Sequence, residues 1–334
     1  MRALLTSLLA MFLLLGVVAG ADGRPLTLEW FTFNEVGLDG HKRVLSKHNI
    51  FPEESSYSAR RRQLAYVPYL YDGARSNKLW VADVDRSRER LLFESPNWIT
   101  GVAWAPNGES IAFVSAGIWL IEPDGTNLRR VGESGVFPVW SPDSSQIAYR
   151  VSEGTSGSLI RILSLASGST RDLVQGQNFR WSPDGTRLAY EHLGGGTCRI
   201  QIRIVTIRSG AQRAVACGLV PNWSPDGRRI AFARFGATSS SGSLWVVQAR
   251  AGKPRRLARQ YLLPDDYWTA TWSEDSKWIA FQRGARYCHS RLSVIHVGSG
   301  RSRRLASHSR IVTPLAWSST SRKVLYSGQR CSDQ

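Results

Sequence analysis

The chain has 334 residues, 42% of them hydrophobic, and its 43 Lys and Arg against 26 Asp and Glu give a formal charge of +17. That apolar content is ample for a packed core and excludes a disordered chain, and four cysteines are too few for a scaffold held together by disulfides alone. After one apolar run at the amino terminus no second hydrophobic segment follows, which excludes a protein that crosses a bilayer several times on helices.

The first residues read Met1-Arg2, then an apolar run from Ala3 to Val18, then Ala19-Gly20-Ala21 before Asp22. A short basic start, a hydrophobic middle and an Ala-x-Ala site describe a secretory signal, with cleavage expected after Ala21. The apolar run falls short of the roughly 20 residues that span a bilayer, and no lipobox cysteine accompanies it. Residues 1–21 are thus read as a leader and 22–334 as one domain, soluble once the leader is removed and located in the periplasm or outside the cell.

A short phrase then recurs seven times: an aromatic residue, a Ser-Pro-Asp-Gly-like turn, and an apolar triplet. The clearest copies are Trp140-Ser-Pro-Asp-Ser-Ser-Gln-Ile-Ala-Tyr149, Trp181-Ser-Pro-Asp-Gly-Thr-Arg-Leu-Ala-Tyr190 and Trp223-Ser-Pro-Asp-Gly-Arg-Arg-Ile-Ala-Phe232. Trp104-Ala-Pro-Asn-Gly-Glu-Ser-Ile-Ala-Phe113 is close to them, whereas Trp272-Ser-Glu-Asp-Ser-Lys-Trp-Ile-Ala-Phe281 and Trp317-Ser-Ser-Thr-Ser-Arg-Lys-Val-Leu-Tyr326 have lost the proline. The most divergent copy is Tyr57-Ser-Ala-Arg-Arg-Arg-Gln-Leu-Ala-Tyr66. Spacings of 36 to 49 residues filled with strand and turn signals mark the blades of a propeller.

Proline presets the backbone of a turn, Asp or Asn bonds back to local amides, and Gly takes the left-handed conformation that closes the hairpin. The triplet is expected to put a bulky side chain on each face of the sheet, with Ala fitting beneath, and the Trp anchors to pack between blades. Each period continues with a third strand, a second Gly-containing turn and a fourth strand carrying Arg-Arg-Leu or a relative of it, as in Arg255-Arg256-Leu257.

The termini complete each other. Leu26 to Leu45 reads as a third and fourth strand without a first pair, and Trp317 to Gly328 as a first and second strand without a following pair. One blade shared by both ends closes an all-β ring of seven four-stranded antiparallel blades and leaves no open sheet edge. Six blades is the competing count, because the Tyr57 copy is the weakest.

The Trp-Ser-Pro-Asp-Gly-x-x-Ile-Ala-Phe phrase resembles the repeat of TolB-like propellers, a branch of the WD-repeat-like superfamily, from about Leu26 to Gly328. The resemblance implies an exported propeller that binds protein. The member that gives the family its name also carries an amino-terminal α/β domain that contacts the transport machinery. Here nothing is expected between the leader and the first strands, which argues against a role in a Tol-type system.

Mapped on the blade plan, Cys198 and Cys217 fall at the same rim of one blade, and Cys288 and Cys331 fall beside the ring closure. Disulfides Cys198–Cys217 and Cys288–Cys331 are therefore expected, and a metal site is not, because no spacing resembles Cys-x-x-Cys. The arginines beside the turns (Arg60, Arg61, Arg62, Arg228, Arg229) and in fourth strands (Arg129, Arg130, Arg255, Arg256, Arg303, Arg304) read as a solvated rim that keeps edge strands from pairing. They also suit an anionic envelope component or an acidic protein. Nucleic acid suits the charge too, but export argues against it and no recognition motif is present.

No nucleophile elbow, zinc helix or Walker loop appears, and His41, His48, His192, His289, His296 and His308 share no spacing. A non-catalytic monomer without a cofactor is expected. The alternative is a propeller enzyme of the lyase or glycosidase type with its site in the central funnel. Candidate binding residues lie on the loop face, in the stretches leading into first strands: Trp98, Phe137, Phe179, Arg180, Asn222, Asp265, Asp266, Tyr267 and Trp268.

Overall fold

Every Ser-Pro-Asp-Gly-like turn joins two antiparallel strands, and every period folds into one four-stranded sheet. The computed structural model describes residues 18–19, 25–26, 28–39, 41–48, 55–68, 76–83, 88–133, 135–152, 157–194, 198–235, 242–261, 270–283, 290–308, 312–317 and 322–331. Blade 1 spans 55–94, blade 2 100–132, blade 3 136–175, blade 4 177–217, blade 5 219–261 and blade 6 271–308. Blade 7 joins Val312–Trp317 and Lys323–Cys331 to Leu28–Gly37 and Lys42–His48, in that order across the sheet. The count is seven, since the Tyr57 copy forms a complete blade. Blades 5 and 6 are further linked by a pairing of Tyr261 with Arg283, and a two-residue ribbon pairs Val18–Ala19 with Pro25–Leu26.

The turn works through its serine. Ser182 Oγ donates to Asp184 Oδ1 at 2.5 Å and accepts from the Arg187 amide at 3.0 Å. Ser141, Ser224 and Ser273 repeat the arrangement with Asp143, Asp226 and Asp275. The left-handed residue that closes the turn is glycine at Gly185 and Gly227, at φ +68° and +66°. Ser144 and Ser276 take the same conformation in blades 3 and 6, at φ 60° and 58°.

Packing of the triplet corrects the expectation of one bulky side chain per face. Ile230 and Phe232 both face the preceding blade, in a cluster with Trp223, Ala189, Ile202 and Ile204. Ala231 faces the following blade, against Trp272, Ile279 and Phe281. Ala65, Ala112, Ala148, Ala189 and Ala280 do the same in their blades. Period-two alternation puts the two large residues on one side, so the small residue leaves room for the next blade's Trp.

The Trp anchors also hydrogen-bond. Indole N–H groups of Trp140, Trp181, Trp223, Trp272 and Trp317 donate to the carbonyls of Ala103, Val139, Arg180, Asn222 and Thr271 at 2.9 to 3.2 Å. Each acceptor directly precedes the anchor of the preceding blade, so the bonds form a ladder around the axis. Trp104 breaks it: its Nε1 is buried without a partner, next to the Tyr57 blade.

One arginine per blade occupies a fixed register in the fourth strand. Arg43, Arg90, Arg129, Arg171, Arg213, Arg255 and Arg303 each lie opposite the third-strand residue that itself faces the middle of the triplet. Arg171 donates to the Ile207 carbonyl of the next blade at 2.7 Å, and Arg213 and Arg255 donate likewise to Ala249 and Val297. Arginines of the rim therefore clasp neighbouring blades in addition to protecting edges. Near the turns, Arg187 and Arg229 stack on Trp223 and Trp272 of the next blade, 4.8 and 5.4 Å from the ring centroids.

Candidate functional site

The first strands ring the axis, and four of them are kinked at one place. Gly101, Phe137, Asn178 and Val220 each stand three residues before the anchor Trp, at φ between 46° and 61°, where the register slips against the second strand. Such bulges re-aim side chains and amides, and for β-branched Val220 the conformation is strained. Glu191 holds that strain in place. Its Oε1 accepts the Val220 amide at 2.5 Å, and its Oε2 accepts Asn178 Nδ2 at 2.9 Å and Gln177 Nε2 at 3.3 Å. Glu191 is 1% exposed, and this burial raises its pKa against the opposing effect of those bonds and of the Arg180 charge.

Arg180 sits beside this cluster. Its Nη1 donates to the Phe179 carbonyl at 2.9 Å, and its side chain is reached by solvent. Burial nevertheless pushes its pKa down, with Glu191 pulling the other way. Arg180 stands in the innermost strand of blade 4, directly before the anchor Trp181. The equivalent residues of the other first strands are Ser56, Ala103, Val139, Asn222, Thr271 and Ala316, so Arg180 is the charged one among these seven positions.

The other candidates divide. Trp98 is 66% exposed at the entrance to blade 2, and Phe137 is 40% exposed under the Arg150 guanidinium, 4.7 Å from the ring centroid. Phe179 is buried in the core between blades 3 and 4 and offers no binding surface. Asn222 is half-buried and spends its amide on the Ala270 carbonyl, at 2.7 Å. Asp265, Asp266, Tyr267 and Trp268 lie outside the described residues. Cys198 and Cys217 form a disulfide with a Cα separation of 5.6 Å, on the face that carries the bulges, while Cys288 lies outside the described residues. Glu191 and Arg150 escaped the sequence reading. Both stand directly after a triplet, where the other blades carry Val67, Val114, Ala233, Gln282 and Ser327, and superposing the repeats there would have exposed them.

On the opposite, turn-bearing face a cleft of about 1010 Å³ lies between blades 4 and 5, lined by Asp184, Arg187, Asp226, Arg228 and Arg250 among others. One of its arginines, Arg187, is engaged with Asp184 at 3.2 Å and stacks on Trp223, and the cleft converges on no reactive group. Among the described residues no three His, Cys, Asp or Glu are placed to hold a metal ion.

Charge is unevenly shared around the ring. The third and fourth strands with their turn, residues 242–261 in blade 5 and 290–308 in blade 6, contain no Asp or Glu. They carry Arg250, Lys253, Arg255, Arg256 and Arg259, then Arg291, Arg301, Arg303 and Arg304, all exposed. Residues 200–217 of blade 4 add Arg203, Arg208 and Arg213, again without an acid. In blades 1 and 2 the same halves balance: Lys78, Arg86, Arg88 and Arg90 oppose Asp83, Asp85, Glu89 and Glu94, and Arg129 and Arg130 oppose Glu122 and Asp124. Ion pairs in blades 5 and 6 join Arg229 to Asp226 at 3.4 Å and Lys277 to Asp275 at 4.0 Å, both at the turns. Among the described residues none reaches the cations of the outer strands.

Seven four-stranded blades, a ladder of Trp anchors on Ser-Pro-Asp turns and bulged first strands define a seven-bladed β-propeller. Comparison with known proteins agrees. No family model matches the chain. A 49-residue stretch is 41% identical to the Tol-Pal system protein TolB of Albidiferax ferrireducens, covering 15% of this chain and 12% of that protein. TolB from Acinetobacter baumannii superposes with a TM-score of 0.52 at 17% identity, over 81% of this chain and 64% of that one. Oligogalacturonate lyase from Vibrio parahaemolyticus superposes with a TM-score of 0.64 at 10% identity, over 91% and 98%. The chain thus spans less than two thirds of both TolB proteins, and at these identities the solved structures speak for the fold alone.

Proposed function

We propose that the chain is an exported, non-catalytic binding platform that receives a protein partner or an anionic envelope component at the mouth of its axial channel, on the face opposite the Ser-Pro-Asp turns. In this reading residues 1–21 are the leader, 22–334 form the single propeller domain, and the mature protein is a monomer in the periplasm or outside the cell. The observation that carries it is Arg180, a solvent-reached cation at a position where the other six first strands carry neutral residues, with exposed Trp98 and Phe137 also on the loop face. An aromatic and arginine-lined opening suits recognition of an extended, acidic segment, whereas chemistry needs acids and bases that converge.

The test is capture from an envelope extract at raised salt by wild type, Arg180→Glu and Phe137→Ser. A partner retained by wild type and released by both variants supports the reading, because a shaped interface survives salt that screens loose charge. Identical capture by all three sinks it.

A second reading is supported by the superposition on oligogalacturonate lyase. Here Arg180 would pair with the carboxylate of an acidic sugar inside the channel. Incubation with oligogalacturonate, followed by absorbance of unsaturated product, separates the two: turnover lost on Arg180→Gln favours the enzyme.

A further inference from the structure

Second strands climb from the turn face and end on the opposite face, and in blades 4 and 5 they end on apolar residues. Leu193, paired with Ile200, is 65% exposed, and Phe235, paired with Gly242, is 39% exposed. They are equivalent positions of adjacent blades, each six residues beyond the Arg that follows the turn, Arg187 and Arg229. At the same edge the backbone register places Arg199, Arg259 and Arg291, all exposed. Below them lie the acid-free outer strands of blades 4 to 6. Residues 219–308 as a whole carry fifteen Lys and Arg against five Asp and Glu, with Asp265 and Asp266 counted.

From this juxtaposition we infer that the edge formed by blades 4 and 5 docks on the surface of a bilayer rich in anionic lipid. Leu193 and Phe235 enter the headgroup layer, and the arginines beside them meet lipid phosphates. Neither element suffices alone. Two apolar tips bury too little area for stable attachment, and a basic sector without an anchor gives only salt-sensitive adhesion. Together they supply short-range insertion and an orienting attraction that acts within a Debye length of about 8–10 Å. Arginine also fits the lipid phosphate better than lysine, because its planar fork makes two parallel hydrogen bonds. A soluble acidic polymer would be recognised by the cations alone and would leave the apolar tips unexplained. The inference shares with the proposed function only the presence of a membrane near the mature protein, since the docking edge uses no residue of the channel mouth.

Vesicle flotation tests it, with phosphatidylcholine vesicles compared with vesicles in which about a third of the lipid is phosphatidylglycerol. The full chain is used throughout, so any contribution of the leader is common to all samples. Wild type is expected to prefer the anionic vesicles by at least about tenfold at low salt, at roughly 1 kcal/mol per engaged arginine. Arg259→Glu/Arg291→Glu/Arg304→Glu should abolish the preference. Arg62→Glu/Arg88→Glu/Arg130→Glu, the same charge change on blades 1 and 2, should leave most of it. Leu193→Ser/Phe235→Ser should keep attraction at low salt and lose the part that survives raised salt. Equal binding to both vesicle types overturns the inference, as do equal losses from the two charge-reversed triples. Binding of soluble polyphosphate with indifference to vesicles overturns it in favour of a polymer. Arg180→Glu should float like wild type, so failure of the channel-mouth reading remains separable from failure of this one.

Discussion

Blade 4 and blade 1 are built from the same phrase, yet nearly every device of the fold is present in one and missing or weakened in the other. Blade 4 has the Ser-Pro-Asp-Gly turn, an indole bond on either side, an arginine clasp and a disulfide. Blade 1 has Tyr57 for Trp, Ala59-Arg60 for Pro-Asp, and a neighbour, Trp104, whose indole finds no acceptor. Both still form four-stranded sheets, because the triplets Leu188-Ala189-Tyr190 and Leu64-Ala65-Tyr66 are equally buried. Hydrophobic alternation is therefore sufficient for a blade, and the polar devices set how firmly it is held.

Three measurements break or sharpen that contrast. The largest effect should come from Cys198→Ser/Cys217→Ser. Opening a cross-link between residues 19 apart in sequence should cost about 3 kcal/mol in a denaturant titration. No loss at all would mean that blade 4 is held by packing alone, as blade 1 is.

Next comes a matched pair. Trp181 and Trp104 are both 7% exposed, but Trp181 bonds to Val139 and Trp104 to nothing. Replacing each by Phe removes similar area, and Trp181→Phe should be worse by about 1–2 kcal/mol because it strands a buried carbonyl. Equal losses would show that the ladder contributes geometry and no energy.

The smallest effect concerns Asp184. Burial opposes its ionisation, but the Ser182 hydroxyl, the Thr186 amide and hydroxyl and the Arg187 charge prevail and hold its pKa down to about 2, from an ordinary 3.8. A depressed carboxylate stabilises the fold above the unfolded value, and the gain is lost as pH falls from about 3.8 towards about 2. With its side chain 51% exposed, solvent screening leaves roughly 1 kcal/mol. Asp184→Asn should thus be less stable than wild type at neutral pH and equal to it near pH 2. Arg60→Asn at the matching place in blade 1 should show no such convergence.

Most of the scaffold was legible because each blade is a local solution repeated. Turn chemistry named the hairpins, the triplets named the core, and the incomplete ends of the chain named the closing blade. The side assignment of the triplet was misread, since two large residues separated by one position must share a face. Less of the site could be read. Phe179 looked like a funnel aromatic because aromatic side chains serve packing and recognition alike, and only the bulge beside it turns it into the core. Arg171, Arg213 and Arg255 looked like solvated charge because their acceptors are carbonyls of another blade, which no sequence pattern displays. Glu191 was passed over because its partners, Gln177, Asn178 and the Val220 amide, come together only when blades 4 and 5 meet.

The shared blade also governs how the molecule is made. Leu28–Gly37 pairs with Lys323–Cys331, so the ring closes through contacts between segments almost the whole chain apart. Blades 1 to 6 can form one after another from neighbouring residues, whereas closure must wait for the last strands and bears the entropy of the longest loop in the protein. Until then one sheet edge stands open, at the Leu28–Gly37 strand that waits for its partner, and the apolar face of blade 6 stands uncovered. A chain delivered amino end first would therefore spend most of its emergence as an unclosed arc, and the time between the first strands and the last is when it is most exposed to mispairing with another copy of itself.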